Sequence, residues 1–233
     1  MHEIIKASKR YHNDIGWLET FWLFSFSDYY DPDNIQFGRL RVFNDDVVQA
    51  NKGFSMHPHK EMEIITIILE GELTHEDNMG NHATIAAGEV QSITAGTGIF
   101  HSEENNSSQP VHLCQIWVLP DKAGLTPAYD QKSFKKNDRQ DRLLLLASGR
   151  GGKDAAVIHA DCDIFRCRLT AGNSVDHAPP AGRGVFVYLL DGSLETAGNI
   201  LDKGDQLRMQ SDGKTLTLTS QPGAEFILID VAM

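Results

Sequence analysis

Short apolar runs, each closed by turn residues, make up most of this chain, and strong helical runs are few. Residues 36–43 alternate between apolar and polar, and Asn44-Asp45-Asp46 closes that run. Residues 63–69 are rich in β-branched side chains and stop at Glu70-Gly71. A short strand over 72–75 follows, and Asn78-Met79-Gly80-Asn81 forms a turn. Residues 90–94 and 112–119 are further strands, the last ended by Pro120. Many short strands with regular turns predict an all-β chain built as a sandwich or barrel.

The pattern then breaks and restarts. Residues 129–142, YDQKSFKKNDRQDR, are polar and charged without periodicity. They predict an interdomain linker over 131–142 between a first domain, 1–130, and a second, 143–233. The second series of strands looks like a worn copy of the first. GFSMHPHKEMEIITIILEGELTHEDNMGN in the first half parallels GNSVDHAPPAGRGVFVYLLDGSLETAGN in the second. Both pass from a glycine through β-formers to an acidic residue plus glycine, Glu70-Gly71 and Asp191-Gly192. The repeat supports two domains of one fold.

The two copies differ in chemistry. The first carries His57-Pro58-His59 and, further on, His101-Ser102-Glu103. In an extended segment, side chains at i and i+2 share a face, so each motif presents two ligands to one point. Three imidazoles and a carboxylate without a thiolate suit a divalent first-row metal held for chemistry better than a structural zinc. The second copy keeps only His177 and replaces neither His101 nor Glu103, so a single centre belongs to the N-terminal half. The plain alternative is that both pairs face solvent. Other histidines read as surface or core residues, with His75, just past the Gly71 turn, nearest to an exception. Phe54, Met56 and Phe100 flank the motifs, as cavity wall or as ordinary core. The cluster Trp17, Phe21, Trp22, Phe24 and Phe26 reads as packing.

Composition narrows the function classes. The 233 residues are 41% apolar, enough for a proper core, and the net charge is −11, from 32 acidic and 21 basic residues. That balance argues against a nucleic-acid groove and against a polybasic membrane surface. The longest apolar runs are strand length, too short to span a bilayer. Residues 1–13 predict no signal peptide. Three cysteines, Cys114, Cys162 and Cys167, without CxxC spacing, read as reduced and buried in a cytoplasmic protein.

These motifs resemble a known family. His57-x-His59, Glu63 and Gly71 resemble the first cupin motif, although the Glu63-to-Gly71 gap is one residue longer than usual. Gly96-x-Gly98-x-x-His101 through Asn105 resembles the second, with Gly96 where proline is customary. FSFSDYYDP, LRVFNDD, HPHKEMEI and AGTGIFHSEEN together resemble the pirin family of bicupins, of the bacterial, quercetinase-like kind. The resemblance implies two facing β-sandwich domains and one divalent transition metal in the first. Iron is foremost, with copper, nickel, cobalt, manganese and zinc as alternatives. It implies His57, His59, His101 and Glu103 as the ligands. General cupin spacing favours Glu63 for the carboxylate instead, and strand parity does not exclude it; Glu63 otherwise orients a ligand histidine. Either Glu103 or Glu63 then serves as catalytic base. Two activities follow from the family. One is dioxygenase cleavage of a flavonol such as quercetin, a small aromatic substrate. The other is non-enzymatic, a redox-sensing regulator that binds a protein partner.

Overall fold

The computed structural model describes residues 2–233, and its regular elements are strands apart from two short 3-10 turns. No helix is long and apolar enough to cross a membrane. The first domain is a sandwich. Its larger sheet orders Ala128–Ser133, Glu89–Thr94, Glu63–Glu70, Val111–Val118, Leu40–Val48, Leu18–Trp22 and Tyr11–Asp14 side by side. Its smaller sheet orders Lys52–His59, Ile99–Asn105, Glu72–Asp77 and His82–Ala86. A second, ten-stranded sheet system carries the C-terminal half. This is an all-β chain of two domains, the class that the strand pattern predicts and the arrangement that the resemblance implies.

The run Glu63–Glu70 shows how the domains are joined. Six of its eight residues are fully buried, because both of its faces are covered. Ile64 and Ile68 point into the first domain. Ile65 and Ile67 point the other way, into a core shared with Ile164, Phe186, Tyr188, Ile227 and Ile229 of the second domain. A strand covered on both sides reads as a continuous apolar run instead of an alternating one. The neighbouring strand Leu40–Val48 divides likewise. Phe43 packs on Phe186 and Tyr188 at 5.3 and 4.8 Å between ring centroids.

Three expected boundaries shift. Asn44-Asp45-Asp46 does not end a strand but continues it to Val48. The polar side chains find partners there: Asp45 accepts from Tyr188 at 2.5 Å and contacts His112 Nε2 at 2.6 Å, and Asp46 accepts from Thr20. The linker starts later than residue 131, since Ala128–Ser133 completes the large sheet against Glu89–Thr94. The first domain also does not own the N-terminal strand. His2–Ile5 pairs with Gln206–Gln210 and covers an edge of the second domain's sheet.

Candidate metal centre

The strands Lys52–His59 and Ile99–Asn105 pair antiparallel, with His57 opposite His101 and His59 opposite Ile99. Directly opposed residues share a face, so three imidazoles converge. Ring centroids lie 4.5 Å apart for His57 and His101, 4.8 Å for His57 and His59, and 4.9 Å for His59 and His101. One nitrogen from each ring falls within 4.8 Å of the others. The register slips between His101 and Glu103, where an extra residue enters the His57 strand. Gly53 permits this approach: a Cβ there would sit 2.4 Å from the Glu103 carbonyl oxygen and 2.5 Å from the Glu104 Cα. Gly96 shapes the loop before His101, at φ 46° with the Leu125 carbonyl against the place of its missing side chain.

Hydrogen bonds set the tautomers. Asp77 Oδ2 lies 3.1 Å from His75 Nε2, and His75 Nδ1 lies 3.5 Å from His101 Nδ1. Burial alone would raise the Asp77 carboxyl, but hydrogen bonds from Asn81, His75 and the Met79 amide outweigh it and keep it below its usual range. The ionised Asp77 accepts the His75 Nε2–H. His75 Nδ1 is then an acceptor for His101 Nδ1–H, which leaves a lone pair on His101 Nε2. That Nε2 is buried without any hydrogen-bond partner. On the other strand His57 Nδ1 donates to the Ser55 carbonyl at 2.7 Å, freeing its own Nε2. Such outer acceptors are how proteins orient ligand imidazoles. Burial, then the neighbouring imidazoles, pull His59 down to about 4 and His101 down to about 3, so both rings are neutral and available as ligands near pH 7.

Glu103 stands beside this cluster. It is 1% exposed and shares a second ligand-competent group with His101 and His75. Gln91 Nε2 donates to its Oε1 at 2.7 Å, with Thr66 Oγ1 at 3.3 Å, and Gln115 Nε2 donates to its Oε2 at 2.8 Å. Oε1 has both of its acceptor sites taken, whereas Oε2, with one donor, keeps a lone pair for a further partner. A buried unpartnered imidazole nitrogen, two neutral imidazoles and a fixed carboxylate fit a divalent first-row metal.

Glu63 is not brought to the cluster. Its Oε2 accepts from Thr94 Oγ1 at 2.9 Å and from the backbone N–H of His159, in the second domain, at 3.1 Å. Parity explains this. Thr66, on the inward face of the same strand, reaches Glu103, whereas Glu63 shares the outward face of Ile65 and Ile67. Counting parity from His59 fails because the chain changes sheets between them, at Glu61 with φ 51°.

A cavity of about 590 Å3 opens in front of His57, His59 and Glu103. Trp17, Trp22, Phe26, Phe54 and Trp117 wall it, and Asn44 and Asp46 supply polar groups. Trp117 stands edge-on to His59 at 4.8 Å. Asn44 Oδ1 is buried without a donor. Burial first, then the charges of Asp45 and Glu103, raise Asp46 to about 7 although the Thr20 hydroxyl opposes this. Met56 and Phe100 are about half exposed, outside this wall. Sequence reasoning leaves His75 out and assigns Trp17, Trp22 and Phe26 to packing, and it gives Trp117 no role. The i, i+2 spacing of His75 and Asp77 on one strand was the available signal.

The equivalent region of the second domain is closed by charge. His177 Nε2 lies 2.9 Å from Asp230 Oδ2, and Asp230 also pairs with Arg183, which in turn holds Asp161 at 2.9 Å. Both groups of three or more ligand-competent side chains found among the described residues lie in the first domain.

Comparison with known proteins agrees with this architecture. Residues 5–118 match the Pirin family model, and residues 145–231 match that of the quercetinase C-terminal cupin domain. Quercetin 2,3-dioxygenase of Escherichia coli K12 is 39% identical over 227 residues, 97% of this chain and 96% of that protein. A pirin-like protein of Caulobacter vibrioides is 39% identical over 94% of each chain. The crystal structure of YhhW from Escherichia coli superposes with a TM-score of 0.94 at 38% identity, covering 99% of this chain and 97% of that one. Bacterial pirin YhhW in complex with nickel(II) gives 0.93 at 36% identity, covering 100% and 99%. With both cupin domains matched in order along nearly the whole length, the chain belongs to the pirin family.

Proposed function

We propose that this chain is a mononuclear metal-dependent dioxygenase that cleaves a flavonol such as quercetin. The observation that carries the reading is the aromatic cavity opening directly onto the histidine cluster, a volume suited to a flat ligand of flavonol size. In this reading His57, His59, His101 and Glu103 hold one divalent metal, with iron foremost. The nickel-bound Escherichia coli pirin and the relatives named quercetin 2,3-dioxygenase support that choice of chemistry. When bound, the metal supplies Lewis acidity and a redox-capable centre with open positions for substrate and dioxygen.

The chain's own residues supply the rest. Trp17, Trp22 and Trp117 pack on the ring faces and edges and keep water out. Asn44 Oδ1 accepts a substrate hydroxyl, which removes an unpaired buried acceptor. Glu103, facing the cavity, takes the proton of the flavonol 3-hydroxyl as general base. Holding substrate and dioxygen together removes much of the entropic barrier to their reaction. The three cysteines are buried and unpaired, in keeping with a cytoplasmic setting. The test is oxygen uptake with quercetin by protein reconstituted separately with iron, copper, nickel, cobalt and manganese. His59→Ala, treated identically, controls for free-metal chemistry. Uptake above that control is expected with at least one metal. No uptake above it with any metal would sink the enzyme and leave a partner-binding regulator.

A further inference from the structure

A second cavity, of about 490 Å3, lies where the two domains meet, and it shares no wall residue with the aromatic cavity. Its charge sets it apart. The chain is strongly acidic, yet Lys136, Arg139, Arg166, Arg168 and Lys203 reach this wall against three acids, Glu70, Asp191 and Glu225. The excess is two positive charges. Arg139 and Arg166 are 9% and 7% exposed, and both turn to one oxygen. Arg139 Nε donates to Glu225 Oε1 at 2.9 Å and Arg166 Nε at 2.8 Å, with Arg166 Nη2 at 2.7 Å from the same atom.

One carboxylate thus serves two buried guanidiniums, and a buried charge without its own partner is costly. Among the described residues the one hydrogen bond of the Arg139 side chain is from Nε to Glu225, and Arg139 lines the cavity. Burial pulls Arg166 below its usual value, and Arg139 beside it adds to the pull while Glu225 opposes it. A planar guanidinium fork matches carboxylate or phosphate oxygens in pairs. We propose that this interdomain pocket binds a small oxyanion, the phosphate or carboxylate group of a metabolite, on Arg139 and Arg166, with Lys136, Arg168 and Lys203 around it. Because both domains build the wall, occupancy ties them together and stabilises the folded chain.

The experiment is calorimetric titration of the full-length, metal-loaded chain with inorganic phosphate and, separately, with succinate. Ionic strength is held constant with chloride, so that diffuse attraction to exposed lysines cancels. Saturable one-to-one binding is expected for at least one probe. Phosphate alone would identify a phosphorylated ligand, and succinate alone a carboxylate. Arg139→Gln should weaken binding about tenfold or more, the loss of a charge-assisted hydrogen bond. Glu225→Gln should strengthen it, because the competing carboxylate is gone. The opposite signs separate a site from general destabilisation. Should Arg139→Gln fail to fold, Glu225→Gln and the exposed Lys203→Gln carry the same two expectations. No saturable binding of either probe would overturn the proposal. So would affinity that the folded variants leave unchanged.

Discussion

Asp77 and His75 set the orientation of His101, and this makes a residue outside the HPH and HSE motifs decisive. His75→Leu should lower metal affinity about 10–100-fold, the usual range for a lost outer hydrogen bond to a ligand. Glu63→Gln should leave affinity within about twofold, since Glu63 faces the second domain. Competitive chelator titration compares the two. Asp46 gives a pH signature. Its folded-state carboxyl is raised to about 7 from 3.8, so the folded chain holds a proton that the unfolded chain releases. Stability is therefore fullest below about pH 4 for this group and falls as pH rises from there through about 7, by about 4 kcal/mol in all and by about 3 kcal/mol between pH 5 and 8. Denaturant midpoints between pH 5 and 8 should show that loss in the parent and a smaller one in Asp46→Asn. Spacing set His57 with His59 and His101 with Glu103, but their union as one ligand set, with Glu103 ahead of Glu63, was legible only through the pirin resemblance. His75 was not legible, because its i, i+2 spacing to Asp77 gains meaning only once the cross-strand register places it opposite Glu103.

At the scale of the strand, the site depends on two strands approaching through a bulge. Gly53→Ala would place a methyl group against the Glu103 carbonyl and the Glu104 Cα. Overpacking of this kind costs about 1–3 kcal/mol, and here it spreads the His57 strand from the His101 strand. Both the melting temperature and the metal affinity should fall. The strands around residues 63–69 and 112–118 were readable from their β-branched runs. The continuation through Asn44-Asp45-Asp46 was not, since polar residues mark a turn unless tertiary partners such as Thr20, His112 and Tyr188 satisfy them within a sheet. Parity failed at Glu63 for a related reason: period-two reasoning holds within one strand and is lost when the backbone changes sheets.

The whole molecule has one shared core. Phe43, Ile65 and Ile67 bury against Phe186, Ile227 and Ile229, so neither domain keeps its packing alone. Unfolding of the apo chain should follow a single transition by both fluorescence and circular dichroism. Phe186→Ala should destabilise it by about 3–5 kcal/mol without moving the metal ligands. Two separate transitions would contradict the shared core. The worn repeat made two domains visible in the sequence, but the crossing of His2–Ile5 to the second sheet was invisible, because edge pairing of a short polar-apolar strand leaves no local mark.

In the proposed function, the first domain cleaves a flavonol with dioxygen at one metal centre. Mass spectrometry of the quercetin product formed under 18O-labelled dioxygen tests it most directly. The account predicts a ring-opened product that carries both labelled oxygen atoms with the reconstituted parent chain and is absent with His101→Ala. An unlabelled product, or a labelled one formed equally by His101→Ala, would contradict it.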